Sequence, residues 1–256
     1  MEWDKLDNSM QVLFDKLNTA LKRFGYVAFI SRRYDHLGKY TLCTPYKFST
    51  RSPWFEDWFQ TKFQNVKGHS LVNENACYNL YEFGRYCSHL DGDFAECGVY
   101  KGGTAYMLAD VLMSLSLQSK SLHLFDTFSG MPSTADKDPS GHKQGEYGDI
   151  TLEEVKAYLN PFPFIIFHPG FIPETFRGLE DNRYAFVHVD VDLYQSTKDS
   201  LSFFYDRMIK GGIILFDEYG KIGYERSERL AVDEFFQDKP EIPISLRTGQ
   251  CFIIKL

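Results

Sequence analysis

From Asp93 onward the chain is punctuated by short apolar runs, FAEC at 94–97, LHLF at 122–125, FIIF at 164–167, YAFVHV at 184–189 and GIILF at 212–216. Each ends in turn or acidic residues, and longer amphipathic segments follow several of them, as at Thr104 to Leu117 and Thr197 to Met208. Runs this short suit strands buried on both faces, and parallel neighbours need a crossover between them. The alternation therefore predicts a mostly parallel sheet covered by helices. Thr151 followed by Glu154 has the form of a capping box and opens a further helix. A helix is expected around Glu228 to Phe236, then a weak strand near Ile244 and a final strand, CFIIKL. The tight RTGQ segment between these strands predicts an antiparallel hairpin at one sheet edge.

The first third has a different texture. Leu6, Met10, Leu13, Phe14, Leu17 and Leu21 form a one-sided helical stripe that stops at Gly25. Residues 26 to 52 show no sustained period and read as a loop or cover. A second helix is expected from Ser52 and Pro53, with Phe55, Trp58, Phe59 and Phe63 on its stripe, and a third from Asn73 to Cys87. Residues 1 to 90 are thus expected to form a helical N-terminal region over the mouth of a domain spanning 91 to 256.

A net charge of −7 argues against a nucleic-acid partner, which would need a dense basic surface. The five cysteines are scattered without paired spacing, so reduced, buried thiols are expected rather than a zinc site or a disulfide framework. The charged MEWDKLDNSM start lacks the apolar stretch of a signal peptide, and no later run could span a bilayer, which together suggest a cytoplasmic protein and no membrane partner.

The first strand runs into ECGVYKGGT, residues 96–104, and then directly into a helix. Such a turn lets a ligand approach the backbone at the positive end of a helix. Tyr100 stands where a dinucleotide fingerprint needs glycine, and Lys101 precedes the last glycines, so neither a pyrophosphate site nor a phosphate loop fits. A ligand carrying an amino group and a carboxylate fits better, with Glu96 for the ammonium and the helix amides and Thr104 for the carboxylate. That is the amino-acid end of S-adenosylmethionine, and Gly98, Tyr100 and Gly102 complete its cradle. A turn serving structure alone is the competing reading. LHLF ends in Asp126, where doubly wound folds place an acid for ribose hydroxyls, with Thr127 and Phe128 next to an adenine. Asp149 in the GDI segment, and Gly170 and Phe171 in the PGF segment, are candidates for the cofactor rim.

HVDVDLYQST at 188–197 and FDEYG at 216–220 both follow apolar strands. Asp190, Asp192, Asp217 and Glu218 therefore converge at the carboxyl end of the sheet, where four acids repel and a divalent cation is the economical remedy. Carboxylates without histidine or thiol partners favour a hard ion, magnesium first, with manganese and calcium as alternatives. Helix caps and surface acids are the plainer explanation. His188, inside an apolar strand, reads as a hydrogen-bonded core histidine, and His168 is ambiguous.

The order ECGVYKGGT, FDTFSGMP, HPGF, HVDVDLYQST and GGIILFDEYG resembles the macrocin O-methyltransferase family, which methylates sugar hydroxyls on antibiotics. The resemblance implies a class I methyltransferase (Rossmann-like) fold: a doubly wound, mostly parallel seven-stranded sheet with an antiparallel C-terminal edge strand. It also implies S-adenosylmethionine as donor, Mg2+ as metal, a sugar or glycosylated metabolite as hydroxyl acceptor and, in many members, a homodimer. Asp190, Asp217 and Glu218 resemble the metal ligands, with Asp190 also beside the cofactor, Asp192 the general base and Asp126 the ribose acid. The family usually carries two aspartates where this chain has Asp217 and Glu218. The rivals are a nicotinamide-dependent oxidoreductase on a similar sheet, disfavoured by Tyr100 and by an expected lack of a Tyr-x-x-x-Lys pair, and a non-catalytic binding protein that keeps the fold.

Overall fold

The computed structural model describes residues 16–17, 19–20, 29–32, 40–43, 54, 56–115 and 119–256. The chain divides into two compact units, Met1–Ser52 and Pro53–Leu256. In the first, Lys16, Leu17, Thr19 and Ala20 are helical, and β1 (Phe29–Arg32) pairs antiparallel with β2 (Tyr40–Cys43). Strands thus replace part of the expected loop, in segments rich in aromatic and β-branched residues. The rest of the expected first helix and cover, and the start of the second helix at Ser52 and Pro53, lie outside the described residues.

The unit that carries the sheet begins at Pro53 rather than at residue 91, because two helices belong to its core. Helices α1 (Asp57–Val66) and α2 (Glu74–Ser88) bury Phe59, Val66, Ala76 and Tyr81 against Met107 and Val111 of α3 (Gly103–Ser114). Asn73 caps α2, its side chain accepting from Ala76 N at 3.1 Å.

Strands β3 (Asp93–Cys97), β4 (Leu122–Asp126), β5 (Ile165–Pro169), β6 (Tyr184–Val189) and β7 (Met208–Phe216) pair in parallel. With β8 (Ile244–Ser245) and β9 (Cys251–Ile254) they form a seven-stranded sheet in the order β5-β4-β3-β6-β7-β9-β8. The closing hairpin is antiparallel, but the C-terminal strand is not the edge: β9 inserts between β7 and β8. Burial explains the placement, since Cys251 and Ile253 are fully covered while Ile244 on the two-residue edge strand is 45% exposed. Helices α4 (Leu152–Tyr158), α5 (Tyr194–Phe204) and α6 (Glu228–Phe236) complete the covering, and the Thr151–Glu154 capping box is present. All six residues of β6 are buried, as expected of a central parallel strand. Among the described residues no helix is long and apolar enough to cross a membrane, and Cys77, Cys87, Cys97 and Cys251 are buried free thiols.

His168 on β5 resolves as a packing residue. Its ring stacks on Phe125 with centroids 4.5 Å apart, and its Nε2 lies 2.9 Å from Nδ1 of His123. Burial, and then the neighbouring His123, hold His168 down at about 4. The unfolded chain would take up this proton near pH 6.5 while the folded chain refuses it, so the stabilisation is complete above pH 6.5 and is lost as pH falls toward 4. Urea titrations should show stability falling by up to about 2 kcal/mol between pH 7.5 and pH 5 from this group, and His168→Gln should flatten that part of the profile. An identical profile in the variant would assign the acid sensitivity elsewhere.

Candidate active site

The strand order reverses between β3 and β6, which opens a crevice at their carboxyl ends. The two strand ends are nearly in contact there. Asp190 N donates to Cys97 O at 2.8 Å, and Gly98, at φ +85°, passes so close that a Cβ would stand 1.8 Å from Asp190 O. Only glycine fits. Asp126 then fastens the turn: its Oδ2 accepts from Val99 N at 2.7 Å and Tyr100 N at 2.9 Å, and its Oδ1 from Phe128 N at 2.8 Å. The chain enters α3 through Gly102, at φ +83°, leaving the amino end of that helix beside the turn.

A cavity of about 620 Å³ opens from this crevice. Of the residues singled out from sequence, Gly98, Tyr100, Thr104, Asp126, Thr127, Gly170, Phe171, Asp190, Asp192, Asp217 and Glu218 line it. Four do not. Glu96 is fully buried, and its Oε1 pairs with Nδ1 of His188 at 2.8 Å instead of facing a ligand's ammonium. Gly102 makes room for α4, since a Cβ there would crowd Val155, Tyr158 and Leu159 at 3.2 to 3.3 Å. Phe128 turns into the core beside Phe167 rather than toward an adenine. Asp149 lies outside, with its carboxylate 2.7 Å from Lys101 Nζ.

The carboxylates of Asp190, Asp192 and Glu218 each offer an oxygen within 4.8 Å of the others, a grouping that could hold a metal ion. Burial, then the charge of Asp217, push Asp190 well above the usual carboxylate range. Burial likewise raises Asp192, which sits at φ +63° and is partly compensated by His142 and Tyr224. Glu218 rises to about 7 through burial and Asp217. Asp217 stands apart from this trio. Burial raises it, but the His188 ring 3.7 Å away and the Lys221 charge outweigh burial and hold it below the usual range. Its oxygens accept from Gln250 Nε2 at 2.9 Å and Lys221 Nζ at 2.7 Å. His188 is the hydrogen-bonded core histidine expected, bridging Glu96 and Asp217, and its two acidic partners raise it to about 10 despite burial.

Several wall or support residues carry no local sequence signal. The Tyr224 hydroxyl lies 2.7 Å from His142 Nε2 across 82 residues of chain, and Tyr224 lowers Asp192 against burial. Glu228, fully buried, accepts from Glu218 N at 2.7 Å. The expected lack of a Tyr-x-x-x-Lys pair needs correcting: Tyr194 and Lys198 have that spacing, with their polar atoms 3.1 Å apart. Neither lines the cavity, and the Tyr194 hydroxyl is committed to Glu234 at 2.5 Å.

A reversed parallel sheet with a glycine turn on its first strand, an acid ending the second and an antiparallel closing hairpin defines the class I methyltransferase fold. The solved O-methyltransferase NovP is similar, with a TM-score of 0.65 and 21% identity over 73% of this chain and 82% of that one. The Macrocin-O-methyltransferase (TylF) family model matches residues 66–247, and the chain belongs to this family. Its relatives include the 8-demethyl-8-(2,3-dimethoxy-alpha-L-rhamnosyl)-tetracenomycin-C 4'-O-methyltransferase of Streptomyces olivaceus, 29% identical over 59% of this chain and 62% of that protein. The demethyldecarbamoylnovobiocin O-methyltransferase of Streptomyces niveus is 25% identical over 52% and 54%. The chain thus spans just over half the length of these curated relatives.

Asp126→Ala would strip the acceptor from three main-chain amides at once. The folded state should lose about 3 kcal/mol or more, read as a lower midpoint in chemical denaturation without any ligand. Unchanged stability would mean that the glycine turn holds its shape without this carboxylate.

Proposed function

We propose that the chain is an S-adenosylmethionine-dependent, divalent-metal-dependent O-methyltransferase acting on a hydroxyl of a sugar or glycosylated small molecule. The observation that carries this reading is that one cavity joins the glycine turn and the amino end of α3 to the carboxylates of Asp190, Asp192 and Glu218. The Streptomyces olivaceus relative, whose name specifies 4'-O-methylation of a rhamnosyl-bearing tetracenomycin, supports the acceptor class. Four buried free thiols agree with a reducing, cytoplasmic setting.

In this reading the α3 amides and the Thr104 hydroxyl would hold the donor's carboxylate, and Asp126, Thr127, Gly170 and Phe171 would hold its adenosyl part. A carboxylate has about four acceptor sites, and three backbone amides already use Asp126, so it offers one site to a single ribose hydroxyl. Asp190 and Glu218 would hold the metal with Asp192 beside it. The donor set fits, being three carboxylates whose oxygens lie within 4.8 Å of one another. A bound divalent ion would supply Lewis acidity that eases loss of the acceptor's proton. Asp192, made more basic by burial and oriented by Tyr224, receives that proton as the acceptor oxygen bonds to the donor's methyl carbon and the sulfonium becomes a neutral thioether.

Calorimetry with S-adenosylhomocysteine should show binding without added metal, because the glycine turn stands independently of the acids; no heat at millimolar ligand would sink the assignment. Labelled-donor assays on a panel of glycosylated acceptors should reveal mass gains of one methyl group.

Asp190→Asn and Asp192→Asn should then separate. The first should weaken metal binding, and its defect should shrink as metal rises. The second should lower turnover by about 10²- to 10⁴-fold even at saturating metal. Equal loss of metal in both variants would place Asp192 among the ligands and leave the base unassigned.

A further inference from the structure

Lys221 is the cation nearest the acidic cluster, and its placement is built rather than incidental. It stands in the turn after β7, where its backbone N–H donates to Glu218 O at 3.0 Å. Its Nζ lies 2.7 Å from Asp217 Oδ2 and 2.6 Å from Glu218 Oε1. The stem passes over Gly249 of the β8–β9 hairpin, at φ +95°, where a Cβ would come within 2.9 Å of Lys221 Cγ. The next residue, Gln250, donates to Asp217 Oδ1 at 2.9 Å, so one hairpin seats both the lysine and the aspartate it serves.

The charges are divided unevenly. Asp217 and Glu218 share the ammonium, whereas Asp190 and Asp192 have no lysine or arginine within 4.0 Å among the described residues, and the His142 ring lies 3.8 Å from Asp192. Glu218 belongs to both halves: it is tied to Lys221 and is a member of the trio with Asp190 and Asp192. An ion entering that trio must share Glu218 with an ammonium already bonded to it or take Glu218 from it. Like charges so close repel strongly in a partly buried site.

We infer that Lys221 is a tethered counter-ion that occupies the metal-facing carboxylate of Glu218 when no metal is bound and competes with the divalent ion for it. The inference rests on the metal reading above and extends it to a residue outside the ligand set. Lys221 stabilises the metal-free fold by neutralising Asp217 and Glu218, and by the same contact it weakens the site for metal. Affinity is thereby set by exchange of one oxygen between an ammonium and an ion, and the 30% exposure of the Lys221 side chain gives the displaced head group access to water. Asp217, held by Gln250 as well, can remain the lysine's anchor while Glu218 changes partner.

Manganese binding can be followed by calorimetry on the full chain without donor or acceptor, alongside melting in chelator. Lys221→Met should tighten manganese by about tenfold or more and lower the metal-free melting temperature, so that metal raises its melting point further than in the wild type. Lys221→Arg, which keeps the charge, should bind manganese like the wild type. If the methionine form does not fold without metal, the equally neutral Lys221→Gln can be titrated in its place after refolding with manganese and stepwise chelation. Equal affinity in wild type and Lys221→Met would overturn the competition while leaving the metal site intact. Tightening by Lys221→Arg as large as by Lys221→Met would overturn it too, assigning the effect to shape rather than charge. Binding by none of the forms would instead remove the metal reading and this inference with it.

Discussion

Crowding of like charge at the ends of β6 and β7 is the constraint to which the rest of the site answers. Two carboxylates about 4 to 5 Å apart repel by roughly 3 to 4 kcal/mol at the effective dielectric of a protein's outer layers. A domain's whole stability is only about 5 to 15 kcal/mol, so a few such pairs left uncompensated would rival it. The chain answers in three ways. His188 and Lys221 neutralise Asp217, burial and mutual repulsion shift Asp190, Asp192 and Glu218 toward the protonated form, and His142 and Tyr224 offset part of the burial of Asp192. What these leave over is a trio of carboxylates that faces a cavity and could hold a metal ion.

The sheet creates that crowding by bringing strand ends together. Gly98 permits the approach of β3 to Asp190, and the Asp190 N–H to Cys97 contact locks it, so the glycine turn and the first acid of the cluster are joined through the backbone. Tyr100, Tyr147 and Asp192 all take left-handed φ on the cavity wall. Non-glycine residues hold such angles only where their surroundings over-determine them, and here hydrogen bonds to Asp126 fix Tyr100 while Tyr224 and His142 meet Asp192. The strain marks a wall whose side chains are set before any ligand arrives.

Much of this was legible in the sequence, and the failures have physical causes. Runs such as YAFVHV and GIILF are almost wholly apolar, so their pattern revealed them as strands of a helix-covered parallel sheet. The same pattern hid which face Glu96 takes, since alternation gives no signal when both faces are apolar. It therefore read as a ligand-facing acid, although the structure pairs it with His188. CFIIKL was recognised as the closing strand but not as an interior one. That depends on β9 being better covered than β8, a property of the partners and not of the run. Phe128 follows Asp126 in a motif that points to the cofactor, yet a left-handed turn sends its ring into the core. His142, Tyr224 and Gln250 act through contacts across 33 to 174 residues of chain, where no local pattern can announce them.

The Asp217–Glu218 pair shows why identity of charge is a poor guide to role. Neighbouring residues at a strand end begin on opposite sides. Asp217, with no exposure, is held by Gln250 and lies beside His188, so it serves as the fixed acid of a buried network that also includes Glu96. Glu218 begins the turn that brings Lys221 back, and its backbone N–H is anchored by Glu228, which leaves its longer side chain to reach both the lysine and the trio. A shorter acid at 218 would have one methylene less with which to span those two partners. Glu218 is thus the carboxylate that the geometry shares between an internal cation and the cavity, while Asp217 builds the interior.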